Sequence, residues 1–281
     1  QQISLKTKPH YPILDGLRGV AAILVVIFHI LEGIYPNLVG HPMRHGYLAV
    51  DFFFLLSGFV VGYAYDDRWN QISVWQFFRI RLIRLHPMVI LGGLIGGIAF
   101  WLDPFTSLRP ESDYKDLLLA VVLGWLLIPS PDIRGWGETH QLNGPSWSLL
   151  QEYIANILYG TLVRKFSRAK LWVLVILSAV ALTLTAINRG DIGTGWSYQT
   201  FWIAVVRMMF PFFAGLLLFR TGKLIRVRGA FLVSSILLTI IFFVPYTRLN
   251  GIYEAGVIIL VFPLIVAMGA GGTVNGIWEK I

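Results

Sequence analysis

At 281 residues, 56% of them hydrophobic and only 14% charged, with a mean hydropathy of +0.68, the chain is too apolar for an ordinary soluble globule. Its net charge of +8 does not point to nucleic acid, because the cations collect between apolar runs, as basic cytoplasmic loops do. There is no cysteine, which excludes disulfides, thiolate nucleophiles, cysteine metal ligands and S-acylation and leaves His, carboxylates, Ser and Tyr for any catalysis.

In chain order, Lys6 and Lys8 lead straight into an apolar run at 17–36, which predicts a retained first helix and no cleaved signal peptide. That run carries Arg18 and His29, eleven residues apart. At about 100° and 1.5 Å per residue, the two fall on one helix face about 16 Å apart along the axis. Further runs of spanning length lie at 46–65, 87–102, 145–163, 171–187, 198–219, 229–246 and 252–270. Residues 71–86 read as a basic amphipathic helix on the cytoplasmic surface, with Pro87 opening the next span. Lys and Arg collect at 6–18, 68–84, 164–170 and 220–228, so all four clusters are expected to be cytoplasmic, as is the N-terminus.

These placements conflict if every run crosses, because 164–170 then falls on the wrong side. One segment between 87 and 163 must therefore not span. The short run 115–130, ending in Pro129-Ser130-Pro131, is the expected re-entrant or interfacial segment; the glycine-loosened run 87–102 is the alternative. The fold class is thus all-α, a polytopic transmembrane helix bundle of about eight spans plus one re-entrant or interfacial segment. No repeat or linker divides residues 1–281, so a single membrane domain is expected.

Counting residues from the helix ends places His29, Asp51 and Glu152 within roughly 7–11 Å of the outer boundary. Ionisable groups at such depth are costly and persist where they pair or face a cavity, so the three are expected to meet around one. A carboxylate on one ring nitrogen of His29 would make the other a general base. Plainer roles stand beside these: helix packing for His29, pairing of Asp51 and Glu152 with each other or with Arg207, snorkelling of Arg18, and topology or anionic lipid for Arg79, Arg81 and Arg84. There is no Gly-x-Ser-x-Gly elbow, phosphate loop or dinucleotide fingerprint, and the six scattered histidines predict no metal site.

Four segments carry a family resemblance: Tyr11 to Gly19 with Arg18 and His29 at Arg/Lys-x10-His spacing; Ala49 to Phe59; Arg81-Leu82-Ile83-Arg84 before Pro87; and Asn143 to Glu152, with its Trp147-Ser148-Leu149. In this order they resemble the acyltransferase-3 family of bacterial multi-pass membrane O-acyltransferases. The family usually ends with a further span bearing a Ser-Tyr-x-x-Tyr-x-x-His type motif, which residues 1–281 lack.

The resemblance implies transfer of an acyl group, most often acetyl, from cytoplasmic acyl-CoA (acetyl-CoA) to a hydroxyl of an extracytoplasmic sugar or polysaccharide in the bacterial inner membrane. Arg18, Arg81 and Arg84 would hold coenzyme A phosphates. His29 would act as base or acyl carrier, oriented by Asp51 or Glu152, while Asn143 and Trp147 would contact the sugar. Membrane lipid is the other expected partner, and no metal or nucleic acid is. A proton-coupled transporter or a lipid or glycan flippase is the rival class, since intramembrane charges also suit a carrier.

Overall fold

The computed structural model describes residues 10–35, 40–104, 108 and 110–273. Among them are nine helices: α1 (Pro12–Ile34), α2 (Ala49–Tyr65), α3 (Val74–Leu102), α4 (Tyr114–Trp125), α5 (Ser146–Thr161), α6 (Arg168–Arg189), α7 (Phe201–Thr221), α8 (Ala230–Phe243) and α9 (Asn250–Gly271). Six of them, α1, α2, α3, α6, α7 and α9, are long and apolar enough to cross a membrane, α2 and α7 being counted with the short 3-10 turns that precede them. Two of the expected full-length runs are shorter helices, with 16 residues in α5 and 14 in α8. In α8 the cause is local: Val244 precedes Pro245 and is extended (ψ 135°), the conformation that a following proline imposes.

A second difference concerns Pro87. It does not open a helix; it lies inside α3, which runs unbroken for 29 residues from a capping box in which Ser73 and Gln76 exchange side-chain and backbone bonds. Residues 74–86 and 87–102 are thus one rod rather than a surface helix followed by a span. The amide that Pro87 lacks frees only one carbonyl in a long apolar helix, a loss that membrane helices tolerate.

The segment from 110 to 145 folds back on α3, and Leu142 returns beside Gly96 and Phe100, so α3 leaves and α5 begins at the same end of the bundle. Tyr114, at the start of α4, packs on Trp101 near the end of α3, and a Cβ on Gly93, in the later half of α3, would stand 2.9 Å from the Trp125 ring. Leu127 then turns the chain back in a left-handed conformation (φ 56°). Arg134 lies over Phe100, and the Tyr198 hydroxyl donates to the Ser130 carbonyl, which ties the return to the loop between α6 and α7.

At the opposite end, Arg220 joins the termini of three helices. Its guanidinium donates to Asp66 Oδ2 (2.7 Å) and Oδ1 (3.0 Å) beyond α2 and to the Phe166 carbonyl (3.1 Å) beyond α5. This gathers the cation clusters around 68, 164–170 and 220–228 at one end, called the basic end below. In the centre α2 and α7 touch backbone to backbone: a Cβ on Gly58 would stand 1.8 Å from the Phe212 carbonyl oxygen, and one on Gly215 2.0 Å from that of Leu55.

A candidate active site between four helices

A cavity of about 310 Å³ opens between α1, α2, α3 and α5. Arg18 of α1, Arg81 and Arg84 of α3, Ser57 of α2 and Glu152 of α5 line it, among apolar side chains that include Phe53 and Leu149. The three arginines that the family resemblance grouped therefore share one cavity. Their electrostatic states differ. Arg81 is 3% exposed and its Nη2 donates to Glu152 Oε1 at 2.5 Å, so its charge is already matched. Arg18 bridges to Asp15 at 2.8 Å, one helical turn back on the surface of α1. Arg84 makes no ion pair among the described residues and leaves a net positive charge on the wall.

His29, Asp51 and Glu152 do not meet. His29 is half exposed near the far end of α1, and its Nδ1 lies 2.6 Å from Glu32 Oε2, three residues on. Asp51 is wholly buried and faces α7, where Arg207 Nε reaches Oδ1 at 3.2 Å and Nη2 reaches Oδ2 at 2.5 Å. The same guanidinium donates to the Thr194 carbonyl (2.7 Å) and the Tyr47 carbonyl (3.1 Å), so the pair is dry and its charges fully matched. Glu152 belongs to Arg81 and to Ser57, whose Oγ donates to the same Oε1 at 2.8 Å.

Asn143 and Trp147 flank the start of α5. Arg207 lies 5.3 Å above the Trp147 ring, which is 7% exposed, so this ring packs inside the bundle rather than at an open rim. Asn143 rests on α3, where its amide nitrogen would lie 2.5 Å from a Cβ on Gly92. It also lines a chamber of about 10 Å³ with His140, Gln141 and Ser146, room for about one water molecule.

Two groups were missed in the sequence. Glu32 was legible as the i+3 neighbour of His29 but sat at a helix end, where acids are common. Glu254 is a lone carboxylate in the apolar run 252–270, a signal present but unused. It is wholly buried and accepts from the Ile192 amide (2.6 Å), from Asn250 Nδ2 (2.6 Å) and from the Tyr47 hydroxyl. His45 completes this network through Asn250 Oδ1 (2.7 Å). Burial holds the His45 imidazole below its ordinary range, against its hydrogen bonds to the Asn250 Oδ1 and Val244 carbonyl oxygens, which oppose the shift.

His140, in the return loop, is 2% exposed, and burial pushes it down to about 4. A histidine held neutral when folded and titrating near 6.5 when released binds its proton preferentially in the released state. The loop is therefore expected to lose about 1.4 kcal/mol of local stability per pH unit as the pH falls from about 6.5 towards 4. Limited proteolysis between 126 and 145 should rise across that window and lose its pH dependence in His140→Phe.

Residues 11–280 match the acyltransferase-3 family, whose description is "Acyltransferase domain". The chain belongs to this family. Among its curated relatives, "Acyltransferase MdmB" of Streptomyces mycarofaciens is 32% identical over 251 residues, which is 81% of this chain and 61% of that protein. "Protein 2 in picA locus" of Rhizobium radiobacter is 31% identical over 183 residues, covering 62% of this chain and 93% of that protein. "Putative O-acetyltransferase SACOL0978" of Staphylococcus aureus (strain COL) is 26% identical over 274 residues, 89% of this chain but only 43% of its own length. The chain thus spans 61% of the Streptomyces protein and 43% of the Staphylococcus one. No solved structure matches it.

Proposed function

We propose that this acyltransferase moves an acyl group, acetyl above all, from acyl-CoA at the basic end to a hydroxyl of a sugar or polysaccharide at the far end. In this reading the chain sits in the bacterial inner membrane with its N-terminus in the cytoplasm. The observation that carries it is the joint cavity of Arg18, Arg81 and Arg84, with His29 eleven residues beyond Arg18 on the same helix. Arg84 and Arg18 take the coenzyme A phosphates, for which planar guanidinium forks are suited. The pantetheine arm then runs along α1 and brings the thioester about 16 Å deeper, to the level of His29.

His29 does the proton work. With Nδ1–H given to Glu32, its Nε2 presents a lone pair and takes the proton of the acceptor hydroxyl as that oxygen attacks the thioester carbonyl. The thiolate of coenzyme A leaves and recovers the proton from the imidazolium. An acyl-histidine route uses the same nitrogen as nucleophile. Glu152 lines the donor's passage, Asp51 anchors α2 to α7, and Asn143 and Trp147 shape the acceptor side from within the wall.

Arg84→Ala and Arg18→Ala test the assignment in proteoliposomes given radiolabelled acetyl-CoA. A lost guanidinium–phosphate contact is expected to raise KM for acetyl-CoA by about tenfold or more while leaving KM for the acceptor unchanged. Equal increases for both substrates would refute the phosphate role.

A further inference from the structure

The polar wall of the cavity is built asymmetrically. Glu152 Oε1 receives two donors, Arg81 Nη2 at 2.5 Å and Ser57 Oγ at 2.8 Å, whereas Oε2 has no partner among the described residues. A carboxylate offers about four lone-pair sites, so half of its capacity stays unused in a mostly apolar cavity. Ser57 comes from α2 and Arg81 from α3, so two helices hold one oxygen and fix the rotation of the carboxylate. At the Glu152 side of the cavity an anion is the wrong ligand, because Arg81 is already neutralised and Oε2 would repel a phosphate, which is left to Arg84 and Arg18. What suits a fixed acceptor oxygen between apolar walls is a flexible chain carrying neutral N–H donors.

We infer that the cavity is the subsite for the pantetheine arm of the donor, that Glu152 Oε2 accepts a hydrogen bond from one of its amides, and that Ser57 is the positioning residue that presents this oxygen. The inference rests on the acyl-CoA reading and deepens it. It divides donor recognition in two: phosphates are held by Arg84 and Arg18, and the diamide arm by Glu152 as set by Ser57 and Arg81. No covalent step is added.

Two donors separate these roles. Acetyl-CoA carries both the phosphates and the arm, while S-acetylpantetheine carries the arm without the nucleotide. Binding of each to the purified full chain in nanodiscs is measured with radiolabelled acetyl-CoA, directly and by competition. Ser57→Ala and Glu152→Gln are expected to weaken both donors by about tenfold, the scale of one lost charge-assisted hydrogen bond. Ser57→Thr, which keeps the hydroxyl, restores both, an outcome that a packing role would not give. Arg84→Ala weakens acetyl-CoA and leaves S-acetylpantetheine unchanged. Because Glu152→Gln leaves the buried Arg81 charge unmatched, Ser57→Ala with its Ser57→Thr rescue carries the test if the glutamine variant does not fold. Unchanged S-acetylpantetheine binding in Ser57→Ala overturns the inference and leaves the phosphate reading standing. Failure of the parent protein to bind acetyl-CoA overturns both.

Discussion

Replacing His29 with alanine is expected to lower acyl transfer by about 10²–10⁴-fold, the range that positioned acid–base groups supply. The effect should fall on kcat, with KM for acetyl-CoA unchanged, because the proposed phosphate contact at Arg18 lies about 16 Å away along α1. His29 is half exposed and its side chain meets Glu32 and, edge to face, the neighbouring Phe28 ring, so its loss opens no cavity in the core and should leave the melting temperature unaltered. Glu32→Gln should show a smaller decrease in the same parameter, since it weakens the orientation of the imidazole without removing it. The check is initial-rate kinetics on both variants beside a thermal melt. A His29→Ala protein that transfers label like the parent would remove the proposed mechanism.

The largest expected effect on folding lies at Arg207. Removing one partner of a buried ion pair strands the other, which costs about 3–5 kcal/mol. Arg207→Ala strands Asp51 at 0% exposure and also removes the donors to the Thr194 and Tyr47 carbonyls. The variant is therefore expected to lose most of its folded yield. Lysine should rescue little, because one ammonium cannot reproduce the planar fork on Asp51 together with two carbonyl bonds. Pairing Arg207→Met with Asp51→Leu should recover part of the stability, as neither charge is then stranded, and the coupling can be read from a double-mutant cycle of melting temperatures in detergent. Additive losses would mean that the pair is not the element holding α2 to α7.

The contrast between Asp51 and Arg18 shows what the sequence could and could not tell. Arg18, Arg81 and Arg84 were grouped by the family resemblance, and all three line one cavity. His29, Asp51 and Glu152 were grouped by depth alone. Counting rise from a helix end fixes height and says nothing of azimuth once neighbouring helices choose their faces. Asp51 turned towards α7 and met Arg207, 156 residues away, a partner the sequence offered only as one of several. Ser57, six residues on along α2, points instead towards α5 and Glu152.

The run 115–130 stood apart because of a conflict of charge placement, with proline and short length in agreement, and the chain there forms a helix of only 12 residues, α4, followed by a turn at Leu127. Pro87 misled for the converse reason. Its local preference to end a helix is real, but the capping box at Ser73 and the apolar run beyond Leu91 make one continuous α3 the better solution. Glu254 escaped notice because a single acid in an apolar run has no spacing to read, although its burial with Tyr47, Asn250 and His45 makes it a principal anchor of α9.

The central claim is that one face of α1 joins a donor site at the basic end to a transfer site at the far end. Proteoliposomes of defined orientation test it most directly, with radiolabelled acetyl-CoA supplied only at the basic end and a glycan acceptor confined to the far side. The account predicts acylated acceptor on the far side, no free acetyl-CoA there, and loss of product in His29→Ala. Intact acetyl-CoA accumulating on the far side, or acylation only when donor and acceptor share one compartment, would contradict it.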